Sequence, residues 1–345
     1  MGYYAGIDVS LEQSSICVVD GDGQIVREAK ALSEPDAFIA WFASADLRIE
    51  RIGLEAGPLS QWLYAALADE GYSVELLETR HVRHALDTMP VKTDKKDARG
   101  IAQLMRLGWF RPVHCKSLAA QEIRAVLAAR KLLQTKLIDI DLSLRGILRG
   151  FGLKVGKTTP LTFPERVRTL VEGHPTLEAI AEALLKARTT LAEQFAGFDR
   201  RLRNMARTHA DARRLMTTPG VGSVVAMTFV AAIDDPQRLR SPRDAGPLFG
   251  LTPKKYQSGE TDRSGHISKY GDAGVRTALY EAANIILSRP VKGSDLKTWA
   301  LRVAKRTSPR KARVALARKL AVVLARMLKD GTTFVAHKAA EAKAA

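Results

Sequence analysis

Over the first eighty residues, apolar positions fall in short blocks and alternations. Residues 3–9 are an apolar run that delivers a carboxylate, Asp8, near its end. Residues 15–20 (Ser-Ile-Cys-Val-Val-Asp) and 24–29 read as two more strands, joined by the turn Gly21-Asp22-Gly23. The chain therefore opens as a meander. Residues 35–43 and 59–69 switch to helical spacing, through Phe38, Ile39, Trp41 and Phe42 and then Trp62, Leu63, Ala66 and Leu67. Between and after them, 51–55 and 73–77 are short strands, the first ending on Glu55. A further helix starts at about Asp94, with Thr93 or Asp94 as its cap. Three strands, then helix, strand, helix, strand and helix, predict an α/β domain.

From there the pattern turns helical. Residues 119–148 carry Val126, Leu127, Leu133, Leu137, Ile140 and Leu144 at helical spacing, and 177–209 carry Ile180, Leu184, Leu191, Phe195, Phe198 and Leu202. The Gly-, Thr- and Pro-rich segment 150–175 reads as a hairpin connection between them. The pair is either an ordinary packed bundle or a coiled-coil spacer or dimerisation element, since heptads are not sustained cleanly. Residues 221–233 form an apolar helix too short to cross a bilayer. Residues 273–287 and 314–328 are two more helices, the latter amphipathic with Leu316, Leu320, Val323 and Leu324 inward. The Ala-rich 336–345 reads as a disordered tail.

Composition narrows the partners. The chain has 345 residues, 46% of them hydrophobic, and a net charge of +17. That is a globular chain with room for two domains and a surface suited to a polyanion, through phosphate neutralisation and counterion release. Beyond Pro290 the cations crowd: Lys292, Lys297, Arg302, Lys305, Arg306, Arg310, Lys311, Arg313, Arg318 and Lys319. No basic leader precedes an apolar stretch, no lipidation signal is visible, and two cysteines, Cys17 and Cys115, are too few for a disulfide framework. A cytoplasmic protein with no membrane partner is expected.

Four carboxylates carry the chemistry. Asp8 closes Gly6-Ile7-Asp8-Val9-Ser10, and Glu55 closes Ile52-Gly53-Leu54-Glu55-Ala56-Gly57. Ligands collect beyond the carboxyl ends of strands in open α/β sheets. Asp94 and Asp97 share a face of the next helix, inside Val91-Lys92-Thr93-Asp94-Lys95-Lys96-Asp97-Ala98-Arg99-Gly100. Acids that share a face repel unless a cation lies between them, and hard oxygen donors suit Mg2+ or Mn2+. A solvated, salt-bridged helix end is the plainer reading of the same stretch. A superficial P-loop, Gly152-Leu153-Lys154-Val155-Gly156-Lys157-Thr158, fails on spacing, because Phe151 stands where the first glycine belongs, and it follows a helix.

Gly-Ile-Asp-Val-Ser, Leu-Glu-Ala-Gly-Pro and Lys-Thr-Asp-Lys-Lys-Asp-Ala-Arg resemble, in order and spacing, the three motifs of the DEDD transposase family of bacterial insertion sequences, described as bridge-RNA-guided recombinases. The resemblance implies a RuvC-like, ribonuclease-H-type domain over 1–112, a helical connector or coiled coil over 113–210 and a mainly α transposase domain over 211–335. It continues in Gly250-Leu251-Thr252-Pro253, Tyr256-Gln257-Ser258-Gly259 and Ile267-Ser268-Lys269-Tyr270-Gly271. In the family, the serine of Tyr-x-Ser-Gly joins covalently to DNA, which implies Ser258 here rather than Ser264 or Ser268. A hydroxyl needs a base or a metal to become nucleophilic, and His266 is the sole nearby base.

The expected function is cutting and rejoining of DNA through a phosphoserine, with Asp8, Glu55, Asp94 and Asp97 holding Mg2+ (or Mn2+). Lys92, Lys95, Lys96, Arg99, Lys254, Lys255, Tyr256, Arg263 and Lys269 are the candidate nucleic-acid contacts. Gly220 and Gly222 join them, because Gly-x-Gly before a helix lets backbone amides approach a phosphate, unless a tight turn needed for packing explains it. The partners implied are donor and target DNA, a guide (bridge) RNA and further copies of the chain, as a dimer or tetramer. The setting implied is a bacterial cytoplasm, on the nucleoid when bound to DNA. Two other classes fit the residues: a RuvC-like metal nuclease or junction resolvase with water as nucleophile, and a non-catalytic nucleic-acid-binding protein.

Overall fold

The computed structural model describes residues 2–87 and 93–337. The chain divides into two compact units, Met1–Lys116 and Ser117–Ala345.

In the first unit β1 (Tyr3–Asp8), β2 (Gln13–Val19) and β3 (Ile25–Leu32) form the antiparallel meander. Then follow α1 (Pro35–Ala45), β4 (Ile49–Glu55), α2 (Ser60–Asp69), β5 (Val74–Leu77), α3 (Thr79–Leu86) and α4 (Asp94–Leu107). The sheet order is β3-β2-β1-β4-β5, with β4 parallel to β1 and β5 parallel to β4. This is the expected ribonuclease-H-like mixed sheet. β3 runs past its predicted end because Gln13 pairs with Leu32. The sequence did not predict α3, since its apolar residues are few and four of its eight positions are Arg or His.

Strand alternation divides the sheet's two faces. Ala5, Ile7, Ile52 and Leu54 pack with Phe38, Phe42, Leu63 and Leu67 of α1 and α2. Gly6, Gly53 and Cys17 face α4. Both glycines are needed for that approach. A Cβ on Gly6 would overlap the backbone of Ala98 and Ala102, and one on Gly53 would lie 2.8 Å from Met105 Cγ. Gly6→Ala should therefore lower stability by about 1–3 kcal/mol in urea unfolding, the usual range for overpacking. Gly21→Ala, with nothing nearby for the new methyl to meet, should change it by less than about 0.5 kcal/mol.

In the second unit α5 (Leu118–Gly150) and α7 (Pro175–Thr208) lie alongside each other, with α6 (Phe163–Val171) between them in sequence. The segment read as a bare hairpin connection is thus a small folded cap. Phe163, Val167 and Val171 pack on Leu144, Leu148, Leu177 and Leu185. Arg188 reaches Asp141 at 2.6 Å and the Pro160 carbonyl at 3.2 Å, over the Phe163 ring. At the other end of the two helices, Ile123, Leu202 and Ala206 join the main core of the unit. The chain then continues through α8 (Ala210–Leu215), α9 (Ser223–Ile233) and α10 (Ala245–Leu248). Next come β6 (Pro253–Ser258), β7 (Thr261–Ile267), α11 (Ala273–Ser288), α12 (Asp295–Arg306) and α13 (Pro309–Asp330). α9 is apolar almost all round and lies buried among its neighbours, as its composition requires. Among the described residues, no helix is long and apolar enough to cross a membrane.

Candidate active site

The three acidic motifs converge on one edge of the first sheet. Ile7 and Leu54 are paired across parallel β1 and β4, so Asp8 and Glu55 are the next residues along each strand. By alternation from Gly6 and Gly53, both carboxylates project to the face covered by α4. Each is half-buried, and together they line a cleft of about 280 Å³ with Val9, Ser10, Gly57 and Leu59.

The direction of α4 brings the second pair to the same end. Its last turns bind the β2–β3 turn: Gln103 donates to the Gly23 carbonyl at 2.7 Å and Arg106 to that of Gly21 at 3.3 Å. That turn lies beside the start of β1, where Tyr4 pairs with Val19. The middle of α4 crosses Gly6, so its first turn lies toward the end of β1. Thr93 caps this turn, accepting from the Lys96 amide at 3.3 Å. Asp94 and Asp97 sit in it, favoured there by the helix dipole. Asp94 is exposed and Asp97 half-buried.

All four donors are carboxylate oxygens, which fits Mg2+ or Mn2+ and not a metal that prefers thiolate or imidazole. Among the described residues, no three acidic, His or Cys side chains stand close enough to hold an ion. The fit is one of donor chemistry and backbone placement.

Of the cations in this motif, Lys92 lies outside the described residues. Lys95 and Arg99 are engaged by Glu28 of β3. Arg99 Nε and Nη2 donate to its two oxygens at 2.6 and 3.0 Å, and Lys95 Nζ lies 2.8 Å from Oε2. The Arg99 hydrogen bonds, against a smaller opposing effect of burial and helped by Lys95, pull the Glu28 carboxyl down to about 2. It therefore stays ionised at any pH used to assay the protein.

The serine stretch, read as a loop, is a β-hairpin. Ser258 pairs with Thr261 at its tip, around Gly259 (φ +55°) and Glu260. A polar stretch with glycines at the turn and inside β7 (Gly265) hid a strand pair that has no apolar face. The register sorts the candidates, since paired residues share a face. Ser258, Thr261, Tyr256 and Arg263 project to one side, with Lys254 on the same strand face. Lys255, Gln257, Asp262 and Ser264 project to the other, while His266 lies where the register shifts between the Lys255–Ser264 and Pro253–Ile267 pairs. Lys255 forms an ion pair with Asp262 at 3.4 Å, and Lys254 lies over the Tyr270 ring at 5.6 Å.

The hairpin base is tightly fixed. Gly250 (φ +63°) and Gly271 (φ +76°) cross so closely that a Cβ on either would overlap the opposing backbone, of Tyr270 and Leu248 respectively. Arg276 Nη1 donates to the carbonyls of Tyr270 and Gly271 at 2.9 Å and of Phe249 at 3.2 Å. Asp272 caps α11 and accepts from Arg124 of α5 at 2.8 Å. Burial alone would raise its carboxyl, but Arg124 and the Val275 and Gly274 amides hold it below the usual range. Lys269 adopts φ +57° beside this crossing. Sequence reasoning missed Arg276, Asp272 and Arg124. The signal available was Asp272 directly before an apolar-periodic segment, the mark of an N-cap.

Gly220 (φ +79°) has a packing role. Its Cβ would lie 2.7 Å from the Ala282 carbonyl of α11. Gly222 is the N-cap of α9, with open space beside it.

Two family profiles match the chain. One, described as "Transposase", covers residues 5–152, and the other, described as "Transposase IS116/IS110/IS902 family", covers 212–297. The chain belongs to the IS110/IS116 family of transposases. It is thus an enzyme that cleaves and joins DNA. The transposase for insertion sequence element IS1111A of Coxiella burnetii is 24% identical over 95% of this chain and 90% of its own. A probable family 20 transposase of Pseudomonas aeruginosa is 26% identical over 82% and 85%. The transposase for insertion sequence element IS1328 of Yersinia enterocolitica is 25% identical over the same shares. In this transposase the acidic edge falls inside the first matched segment, and the Ser258 hairpin inside the second.

Proposed function

We propose that this transposase cuts and rejoins DNA through a phosphoserine at Ser258, assisted by the carboxylates Asp8, Glu55, Asp94 and Asp97. The observation that carries the reading is the placement of Ser258. It is exposed at the tip of a hairpin whose base is locked by Arg276, and it shares a face with Tyr256 and Arg263. As the Oγ–phosphorus bond forms, the bond from phosphorus to one deoxyribose oxygen breaks. The serine proton passes to solvent, and the departing oxygen takes up a proton to become the free hydroxyl of the released strand. Attack by an incoming strand's hydroxyl reverses the step and frees the serine, so the bond energy is kept. Arg263 and Lys254 neutralise the phosphate, and Tyr256 supports the flanking nucleotide.

The acids would hold Mg2+ or Mn2+, which supplies charge neutralisation and a lowered pKa for a bound hydroxyl. Gly222, Lys255, Lys269 and Lys96 are further backbone contacts in this reading, and the basic residues of α12 and α13 offer a broader nucleic-acid surface. A guide RNA is what the resemblance implies, and the charge of +17 suits a polyanion of either kind. A homo-oligomer is supported by the apolar residues left exposed along α5, Leu132, Ile138 and Leu142.

The test is a denaturing gel of full-length protein with Mg2+, guide RNA and labelled donor DNA. A labelled band at the mass of protein plus a DNA fragment is expected, absent with chelator. Cleavage with no such band would instead establish water as the nucleophile.

A further inference from the structure

We infer that Glu28 is a positioning residue for the acidic site: it sets the rotation of α4 about its own axis, and so aims Asp94 and Asp97. This rests on the assignment of the four acids to a divalent cation. Glu28 lies on β3, two strands away from β1, and carries none of the motif. Its partners are the two cations of α4 that share a flank. At about 100° per residue, Lys95 and Arg99 lie roughly 40° apart around the helix, and Asp94 and Asp97 roughly 60° apart. The two pairs are separated by roughly 150°. Ala98, Ala102 and Met105 lie between them, Ile101 falls in the sector of the two acids, and all four face the sheet.

A pull on the cationic flank from β3 therefore turns the acidic flank toward the opposite side, where β4 ends in Glu55. The apolar contacts alone do not fix this rotation firmly. Ile101 and Met105 pack as large buried side chains, but on the flank toward β3 only Ala98 and Ala102 lie against Cys17 and Val19 of β2, and small residues resist rolling poorly. The carboxylate of Glu28 supplies what they lack. Arg99 binds both of its oxygens, and Lys95 binds one of them. The Glu28 side chain is only 18% exposed, so the carboxylate end of the pair is partly withdrawn from solvent. Glu28 also keeps both cations occupied.

The test reads Mn2+ binding to the full chain by electron paramagnetic resonance, without DNA or turnover. The parent should bind Mn2+, and Asp8→Asn should abolish that binding. Glu28→Gln, which keeps shape and removes charge, should raise the Kd about tenfold, while the far-ultraviolet spectrum stays that of the parent. The exchange Glu28→Arg with Arg99→Glu, which restores the pair with its ends swapped, should recover much of the affinity. Unchanged binding in Glu28→Gln would overturn the inference and leave the metal assignment standing. So would an exchange variant no better than Glu28→Gln. Binding that ignores Asp8→Asn would overturn the metal assignment itself, and the role of Glu28 with it.

Discussion

Asp8→Asn should reduce DNA strand cleavage by at least about a thousandfold at saturating Mg2+, because each tenfold in rate is about 1.4 kcal/mol and a metal-assisted step draws on several. The substitution keeps size and shape, and Asp8 ends its strand rather than filling the core, so the protein should melt as the parent does. Glu50→Gln is the control. Glu50 stands near the opposite end of β4, exposed, where it accepts a hydrogen bond from the Tyr4 hydroxyl at 2.9 Å. It should leave the cleavage rate within about twofold, as surface changes away from a site usually do. Initial rates on one labelled donor duplex decide the matter. Equal losses in both variants would mean that general acidity near the sheet, and not the shared edge of Asp8 and Glu55, supports the reaction.

The second large effect belongs to the hairpin. Ser258→Ala should abolish strand rejoining and the covalent adduct, a loss of about a thousandfold or more, since a missing nucleophile is not replaced by its neighbours. Ser264→Ala should keep rates within about threefold, because the register turns its side chain to the opposite face. Chemistry alone does not separate Ser258 from Ser264, as both are hydroxyls in a polar stretch. The pairing of Ser258 with Thr261 and of Lys255 with Ser264 does separate them. If Ser264→Ala were the inactive variant, the hairpin register would be wrong as a guide to function.

The acidic edge was legible because strand endings leave marks in sequence. An apolar run closing on one carboxylate is rare, and two such runs with a capped Asp-x-x-Asp helix are rarer. Thr93 as the cap followed from the same local chemistry. Gly6 and Gly53 were visible as residues but not as reasons. Their role depends on α4, whose contacts come from more than forty positions further on in the chain. Glu28 left no mark at all. Its partner Arg99 is 71 residues away, and an acid in a strand next to an arginine reads as a solvated edge. The hairpin of β6 and β7 was read as a loop for a physical reason: nearly every residue in it is exposed, so no apolar alternation announces it. The cap between α5 and α7 was hidden because Val155 and Phe163 lie among glycines, threonines and prolines, and their partners are on the two long helices.

The measurement that tests the central claim most directly is identification of the residue that carries DNA. The transposase would be incubated with Mg2+, guide RNA and donor DNA, digested with protease and nuclease, and its peptides analysed by mass spectrometry. A nucleotide remnant on Ser258, missing from the Asp8→Asn protein, is the predicted result. A remnant on Ser264, Ser268 or Tyr256, or complete cleavage with no remnant on any peptide, would contradict it.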